Sequence, residues 1–174
     1  MKTLLKFSGF ISLVLVIVAV ILLMATPGIT YTVTLLGKTS TTTVEGTTVI
    51  FGKTESATAL GFTVSSTTHP SVLALIGWIL MVAGALLVCT AIVLPLIKKG
   101  EKFAGLLNLV AVIALVVAGV FVFIAVPTFC SANGADNVPE GMALGAGWVV
   151  AAILAIAGGA FAILPAAADF LSKK

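Results

Sequence analysis

Long apolar runs separated by short polar segments dominate this chain, and the pattern predicts four membrane-spanning helices. The runs cover Phe7–Met24, Ser71–Ile97, Phe103–Pro127 and Gly141–Ala168. A helix needs roughly 20 apolar residues to cross about 30 Å of hydrocarbon, and these runs have that length. The last three contain no Asp, Glu, Lys or His. We therefore expect a membrane all-α four-helix bundle.

The runs and the segments between them predict the following order. Transmembrane helix 1 occupies 1–29, an extracellular β-rich loop 30–70, helix 2 71–97, a cytoplasmic loop 98–102, helix 3 103–127, a second extracellular loop 128–142, helix 4 143–168 and a cytoplasmic tail 169–174. The charged start and first apolar run could also be a secretory signal peptide. That run is longer than a signal core and no A-x-A site follows it, which favours an uncleaved helix.

The lysines orient the four predicted spans. Lys2, Lys6, Lys98, Lys99, Lys102, Lys173 and Lys174 flank the termini and the loop between the second and third spans; Lys38 and Lys53 lie on the other side. Lys and Arg are enriched in cytoplasmic loops. Seven lysines against two therefore predict a plasma-membrane protein with both termini in the cytoplasm.

The loop Thr30–His69 is rich in threonine and predicts an antiparallel sheet of about four strands. Apolar residues alternate with polar ones in short β-branched runs, and glycine-bearing turns separate the runs. The predicted strands are Thr30–Leu36, Thr39–Val44, Thr47–Phe51 and Thr58–Val64. The apolar residues that keep the alternation are Tyr31, Val33, Val49, Phe51, Leu60, Phe62 and Val64. A disordered loop is the alternative, but disorder does not require such alternation.

The two halves of the chain share sequence patterns that predict a duplicated helical hairpin. The segments from Lys6 and Lys102 share K-F-x-G-x-x-x-L-V-x-V-I, and Gly-Trp is followed by Leu-Pro at the same spacing in the second and fourth spans. Chance could match the aliphatic positions, since apolar helices use few residue types. Lys, Phe, Gly, Trp and Pro in register favour duplication.

Small and polar residues in the spans are candidates for helix contacts. Small residues recur at four-residue spacing in three sets, which are Gly141 and Gly145; Ala151, Ala155 and Gly159; and Gly158, Ala162 and Ala166. Such residues let helices approach closely, either inside the bundle or against a neighbouring protomer. Ser12, Thr90 and Asn108 are candidate interhelical hydrogen-bonding residues. Trp78 and Trp148 are predicted as anchors at the outer membrane interface.

Composition and the lack of motifs exclude several functional classes. The chain has 60% hydrophobic residues, 9% charged residues and no Arg, which argues against nucleic-acid binding. No charge falls inside a span, which argues against a pump or an ion-coupled transporter. His69 lacks nearby metal ligands, and the acidic and amide residues after Ser131 do not match a calcium-binding loop. We therefore expect no catalytic residue, cofactor, metal or small-molecule substrate.

The architecture as a whole resembles the claudin-like tetraspan superfamily. The likeness consists of four spans, cytoplasmic ends, a long β-forming first outer loop and a shorter second one. The family's first-loop motif of Gly-Leu-Trp and paired cysteines has no counterpart, because Thr30–His69 contains neither Trp nor Cys. The resemblance implies a fold and lateral assembly rather than chemistry, and no residue role is carried over.

These observations favour a non-enzymatic structural, self-assembling or adhesion-type membrane protein. Its expected partners are the lipid bilayer and either copies of itself or a neighbouring membrane protein, contacted through the outer sheet and the small-residue helix faces. The alternative is an accessory subunit of a larger transporter, channel or secretion complex. A passive pore would need a polar lumen, which a single copy lacks but an oligomer could enclose.

Overall fold

Four long helices form the body of the protein, which we describe from a computed structural model covering residues 2–59, 62–96 and 101–171. The helices are α1 (Lys2–Ala25), α3 (Val72–Leu96), α4 (Glu101–Phe123) and α6 (Ala146–Leu171). Each contains a stretch long and apolar enough to span a membrane. The predicted four-helix organisation is confirmed at this level. The loop prediction at 98–102 lies partly outside the described residues, and α4 already begins at Glu101.

The four helices pack as a closed ring in which each touches two neighbours. Helix α1 packs on α3 and α6, and α4 packs on the same two helices. Buried alanines, leucines and valines fill the centre, including Val16, Ala19, Ala111, Leu115 and Ala155. Phenylalanines, isoleucines and valines cover the outside, as expected for helices whose solvent is hydrocarbon.

All strands and both short helices lie where α1 and α4 end and where α3 and α6 begin; we call this the strand-bearing end. The strands are β1 (Pro27–Leu35), β2 (Lys38–Glu45), β3 (Lys53–Ala59), β4 (Phe62–Thr68) and β5 (Met142–Leu144). Helix α2 spans Gly46–Phe51 and α5 spans Ala125–Ala132. One sheet has the order β2-β1-β5 and the other pairs β3 with β4, all antiparallel.

The prediction of one four-stranded sheet built only from the first connection, the segment between α1 and α3, is wrong, because the strands of this segment divide between two sheets. Thr47–Phe51, predicted as a strand, is the helix α2, because burial of Thr48, Val49 and Ile50 against α1 and α3 outweighs the β preference of these residues. The third strand of the larger sheet, β5, comes instead from the second connection, which is the segment between α4 and α6. β5 is a three-residue strand, too short to give a recognisable alternating pattern in the sequence.

Helix α6 begins later than the apolar run suggested. Gly141 has φ +82°, in the left-handed region that favours glycine, and it precedes β5. Gly145 separates β5 from α6. Both glycines were predicted to belong to the helical small-residue stripe, and that prediction is wrong. They instead allow β1 to approach: a Cβ at Gly141 would collide with the carbonyl of Thr32, and one at Gly145 with the carbonyl of Pro27.

Candidate functional site

Trp148 fixes the strand-bearing end to the bundle. Its side chain is fully buried, and its indole Nε1 donates a 3.0 Å hydrogen bond to the carbonyl of Leu23 at the end of α1. The ring lies against Gly28 of β1 and Gly46 of α2, where any side chain would collide with it. Trp148 was predicted to be an interfacial anchor, and its complete burial makes that prediction wrong.

Trp78, the counterpart of Trp148 in the predicted repeat, has a different environment. It is half-buried, and its ring packs edge-to-face against Phe51 with 5.3 Å between the ring centroids. Its Nε1 is buried without a hydrogen-bond partner among the described residues. The two tryptophans thus hold the strand-bearing end by different contacts, and an interfacial role for Trp78 stays a prediction.

The small residues of α6 serve packing inside the bundle. Ala151, Ala155 and Ala162 are fully buried. Gly158 lies against Val16 on α1, and Gly159 against Val116 on α4. Of the two interpretations left open for this stripe, the structure supports packing within one chain. A neighbouring protomer cannot reach these buried faces.

The three candidate interhelical polar residues behave differently from one another. Ser12 is buried, and its Oγ donates a 2.7 Å hydrogen bond to the carbonyl of Gly158 on α6, which is an interhelical contact. The Thr90 hydroxyl is exposed and bonds to the Leu86 carbonyl of its own helix, so that prediction is wrong. Asn108 is buried, and its Oδ1 accepts no hydrogen bond from the described residues.

We expect Ser12→Ala to destabilise the bundle by about 1 kcal/mol, because it removes one interhelical hydrogen bond. Asn108→Leu, at the position matched to Ser12 in the predicted repeat, should leave the stability unchanged or raise it, since it removes a buried acceptor that has no partner among the described residues. Unfolding by SDS titration in mixed micelles, followed by far-UV circular dichroism, measures both changes. A larger loss for Asn108→Leu than for Ser12→Ala would contradict this assignment.

Polar side chains tie the two connections of the strand-bearing end to each other. The Asn133 Oδ1 accepts a 2.8 Å hydrogen bond from the His69 amide, and the Asn133 Nδ2 donates one to the His69 carbonyl. The Ser71 Oγ caps α3 by accepting a hydrogen bond from the Ala74 amide, and the same Oγ lies 2.6 Å from the Thr128 hydroxyl. No sequence pattern indicates these partners, because they lie more than 50 residues apart in the chain.

A contact between two sulfur atoms links α5 to β5. The thiol of Cys130 is buried and lies 3.2 Å from the sulfur of Met142 on β5. Burial raises the pKa of the Cys130 thiol, so it stays protonated near neutral pH. Both cysteines are free. Within the described ranges, no group of three His, Cys, Asp or Glu side chains could hold a metal ion.

Strand β2 carries the least covered surface of the strand-bearing end. Every residue of β2 except Val44 is exposed, and β2 lies at the edge of its sheet. Of the predicted sheet residues, Tyr31 and Val33 are half-buried on β1, Val49 is buried in α2 and Phe51 is exposed. The side chain of Phe62 lies outside the described residues. Threonine pairs Thr32–Thr41 and Thr34–Thr39 line one face of the β1–β2 hairpin.

The free edge of β2 has a defined set of outward-facing backbone groups. Thr32 donates its amide to Gly141, on the β5 side of β1, so the Thr32–Thr41 pair is not hydrogen bonded. The amide and carbonyl of Thr41 therefore point away from β1. Because these groups alternate along a strand, those of Thr39 and Thr43 point the same way. The Gly46 amide donates a hydrogen bond to the Thr26 carbonyl and so points toward the interior of the strand-bearing end. The amide of the preceding residue, Glu45, therefore points away from β1.

A polar cleft of about 260 Å³ opens between the β2 edge and the β3–β4 sheet. Its lining includes Thr43, Glu45, Lys53, Glu55, Ser66 and Thr68. Lys53 and Glu55 form an exposed salt bridge of 2.9 Å. The hydrogen bond to Glu55, and the nearby charges of Glu55 and Glu45, raise the pKa of Lys53. The carboxylates of Glu45 and Glu55 outnumber the ammonium of Lys53, so the cleft has a net negative charge.

The chain matches no known protein family and no curated protein.

Proposed function

We propose that this protein is a non-enzymatic four-span membrane protein that self-associates through the strand-bearing end. In this proposal the termini are cytoplasmic and the strand-bearing end faces outside, as the distribution of lysines suggests. Of the two contact surfaces expected from the sequence, the buried stripe of α6 is no longer available to a partner. The sheet therefore carries the association.

The free edge of β2 is the observation that supports this proposal most directly. Proteins protect edge strands from pairing by making them short or by placing bulges, prolines or charges on them. β2 is eight residues long, and its interior from Thr39 to Val44 has neither a proline nor a charge. Such an edge is a template for an added strand, which would gain main-chain hydrogen bonds without any change in fold.

The hairpin tip adds a second reason to expect a partner. Beyond the short stretch paired with β5, the β1–β2 hairpin is two-stranded, and such ribbons are marginally stable alone. At its tip, Leu36 is completely exposed and has φ +50°, a conformation unfavourable for leucine. Nothing within the described chain covers this side chain. A partner at the hairpin would provide both the missing strand and the missing cover.

Thr41→Pro tests whether the β2 edge mediates self-association. Proline removes the outward amide of Thr41, which bonds nothing within its own sheet, so we expect the fold to survive and the oligomer to dissociate. Thr41→Val is the matched control, because it keeps the amide and the side-chain shape. Molar mass by light scattering in mild detergent should give an oligomer for the wild type and Thr41→Val, and a monomer for Thr41→Pro.

Two outcomes would contradict the proposal. The first is a wild-type protein that is monomeric both in mild detergent and in native membranes, since such a protein does not self-associate. Stoichiometric copurification of a different membrane protein, without self-copies, would support the accessory-subunit alternative instead.

A further inference from the structure

We propose that the strand filling the β2 edge is β2 of a second copy, paired antiparallel around a twofold axis at Thr42. This inference rests on the proposed function, because it names the contact by which two copies associate. It is carried by the hydrogen-bonding pattern of the edge and by the charges at the two ends of β2.

The outward-facing groups select the register. In an antiparallel pair, residues whose amide and carbonyl face the partner stand directly opposite one another. With Thr42 opposite itself, Thr39 stands opposite Glu45 and Thr41 opposite Thr43. All four outward-facing residues of each copy then have partners. A shift of two residues would place Glu45 opposite Gly37, whose φ of +78° belongs to the turn and not to a strand.

The charges of β2 select an antiparallel partner of the same sequence. Lys38 begins the strand, Glu45 ends it, and the residues between them are uncharged. Antiparallel pairing brings Lys38 of the second copy to the Glu45 end, beside the cleft where Glu45 and Glu55 outnumber Lys53. Each copy thus supplies the positive charge that the cleft of the other lacks. A parallel arrangement would instead place like charges together at both ends.

The interface is isologous, so the same contact occurs twice around the axis. The two copies of β2 would join the two β2-β1-β5 sheets into one continuous six-stranded sheet. The half of the β1–β2 hairpin that lacks β5 would then be flanked on its open side by a strand of equal length.

Cysteine cross-linking tests the register. In the full-length protein carrying Cys89→Ser, Thr42→Cys places two thiols at a non-hydrogen-bonded pair with about 4.5 Å between Cα atoms, within disulfide reach. Thr39→Cys is the matched control: it is also exposed, but its two copies would lie about 20 Å apart. We expect mild oxidation to convert most Thr42→Cys chains into disulfide dimers and at least tenfold fewer Thr39→Cys chains.

Failure of this inference is distinguishable from failure of the proposed function. If the wild type is oligomeric but Thr42→Cys cross-links no better than Thr39→Cys, the register is wrong and self-association stands. If the wild type is monomeric, both fail.

Charge reversal tests the contact with the cleft. Lys38→Glu should raise the Kd of the dimer by about tenfold, since two attractions become repulsions, while Lys38→Gln should raise it less. Fluorescence energy transfer between labelled copies, diluted in detergent, measures the Kd. Equal Kd values for the wild type and Lys38→Glu would overturn the proposal.

Discussion

Trp148→Ala is expected to lower the free energy of unfolding by about 3–5 kcal/mol, the range for removing a fully buried large aromatic side chain. The indole lies where α1, α2, β1 and α6 meet, so its loss leaves a cavity that backbone on several sides must collapse to fill. The Leu23 carbonyl also loses its hydrogen-bond donor. The midpoint of SDS-induced unfolding, followed by far-UV circular dichroism, measures the loss.

Two further variants separate the contributions of Trp148. Trp148→Phe keeps most of the apolar volume but not the Nε1–H donor, so we expect a smaller loss of about 1–3 kcal/mol. Trp78→Ala is the control at the matched position of the predicted repeat. Trp78 is only half-buried and its Nε1 has no partner in the described chain, so this change should cost less than Trp148→Ala. Equal losses at both tryptophans would show that Trp148 has no special structural role.

Gly46→Ala is expected to cost about 3 kcal/mol or to prevent folding. A Cβ at Gly46 would collide with the carbonyls of Leu23 and Thr26 and come within 2.9 Å of the Trp148 Nε1. Backbone carbonyls cannot rotate away as a flexible side chain can, so the junction between α1 and α2 must open. Thermal unfolding in detergent, with folded yield as a second measure, detects the effect.

Gly9→Ala is the matched control for Gly46→Ala. Both glycines are helical, and alanine is the better helix former at either position. At Gly9, however, the nearest atom to a new Cβ is 3.4 Å away on the side chain of Ile92, an ordinary contact. We expect Gly9→Ala to be neutral or slightly stabilising. If the two variants behave alike, close backbone approach at Gly46 is not what its glycine provides.

The sequence predicted the helices well because their signal is local. Continuous apolar runs reveal a span without any knowledge of its neighbours, and Ser12 stood out as a polar residue within such a run. The β1–β2 hairpin was also predictable, since alternation and a glycine turn lie within one short segment.

What the sequence did not reveal depends on contacts between distant segments. Val49 and Ile50 favour a strand by residue type, yet burial between α1 and α3 makes them helical. β5 has no strand signal of its own and exists because β1 offers it an edge. Trp148 looked like an interfacial residue, because nothing in the sequence shows that Leu23, Gly28 and Gly46 surround it. The free edge of β2 likewise became evident only once the sheet order was known.

The pairing of β1 with β5 also constrains how the nascent chain matures. Thr30 and Ala143 are neighbours in the sheet although they lie 113 residues apart in the sequence. During synthesis, one edge of β1 therefore has no β5 to pair with until α2, α3, α4 and α5 have been made. Synthesis of residues 142–148 then supplies β5 and Trp148 together. A chain truncated before Met142 would therefore lack both the strand that pairs with β1 and the indole that fixes the strand-bearing end to α1.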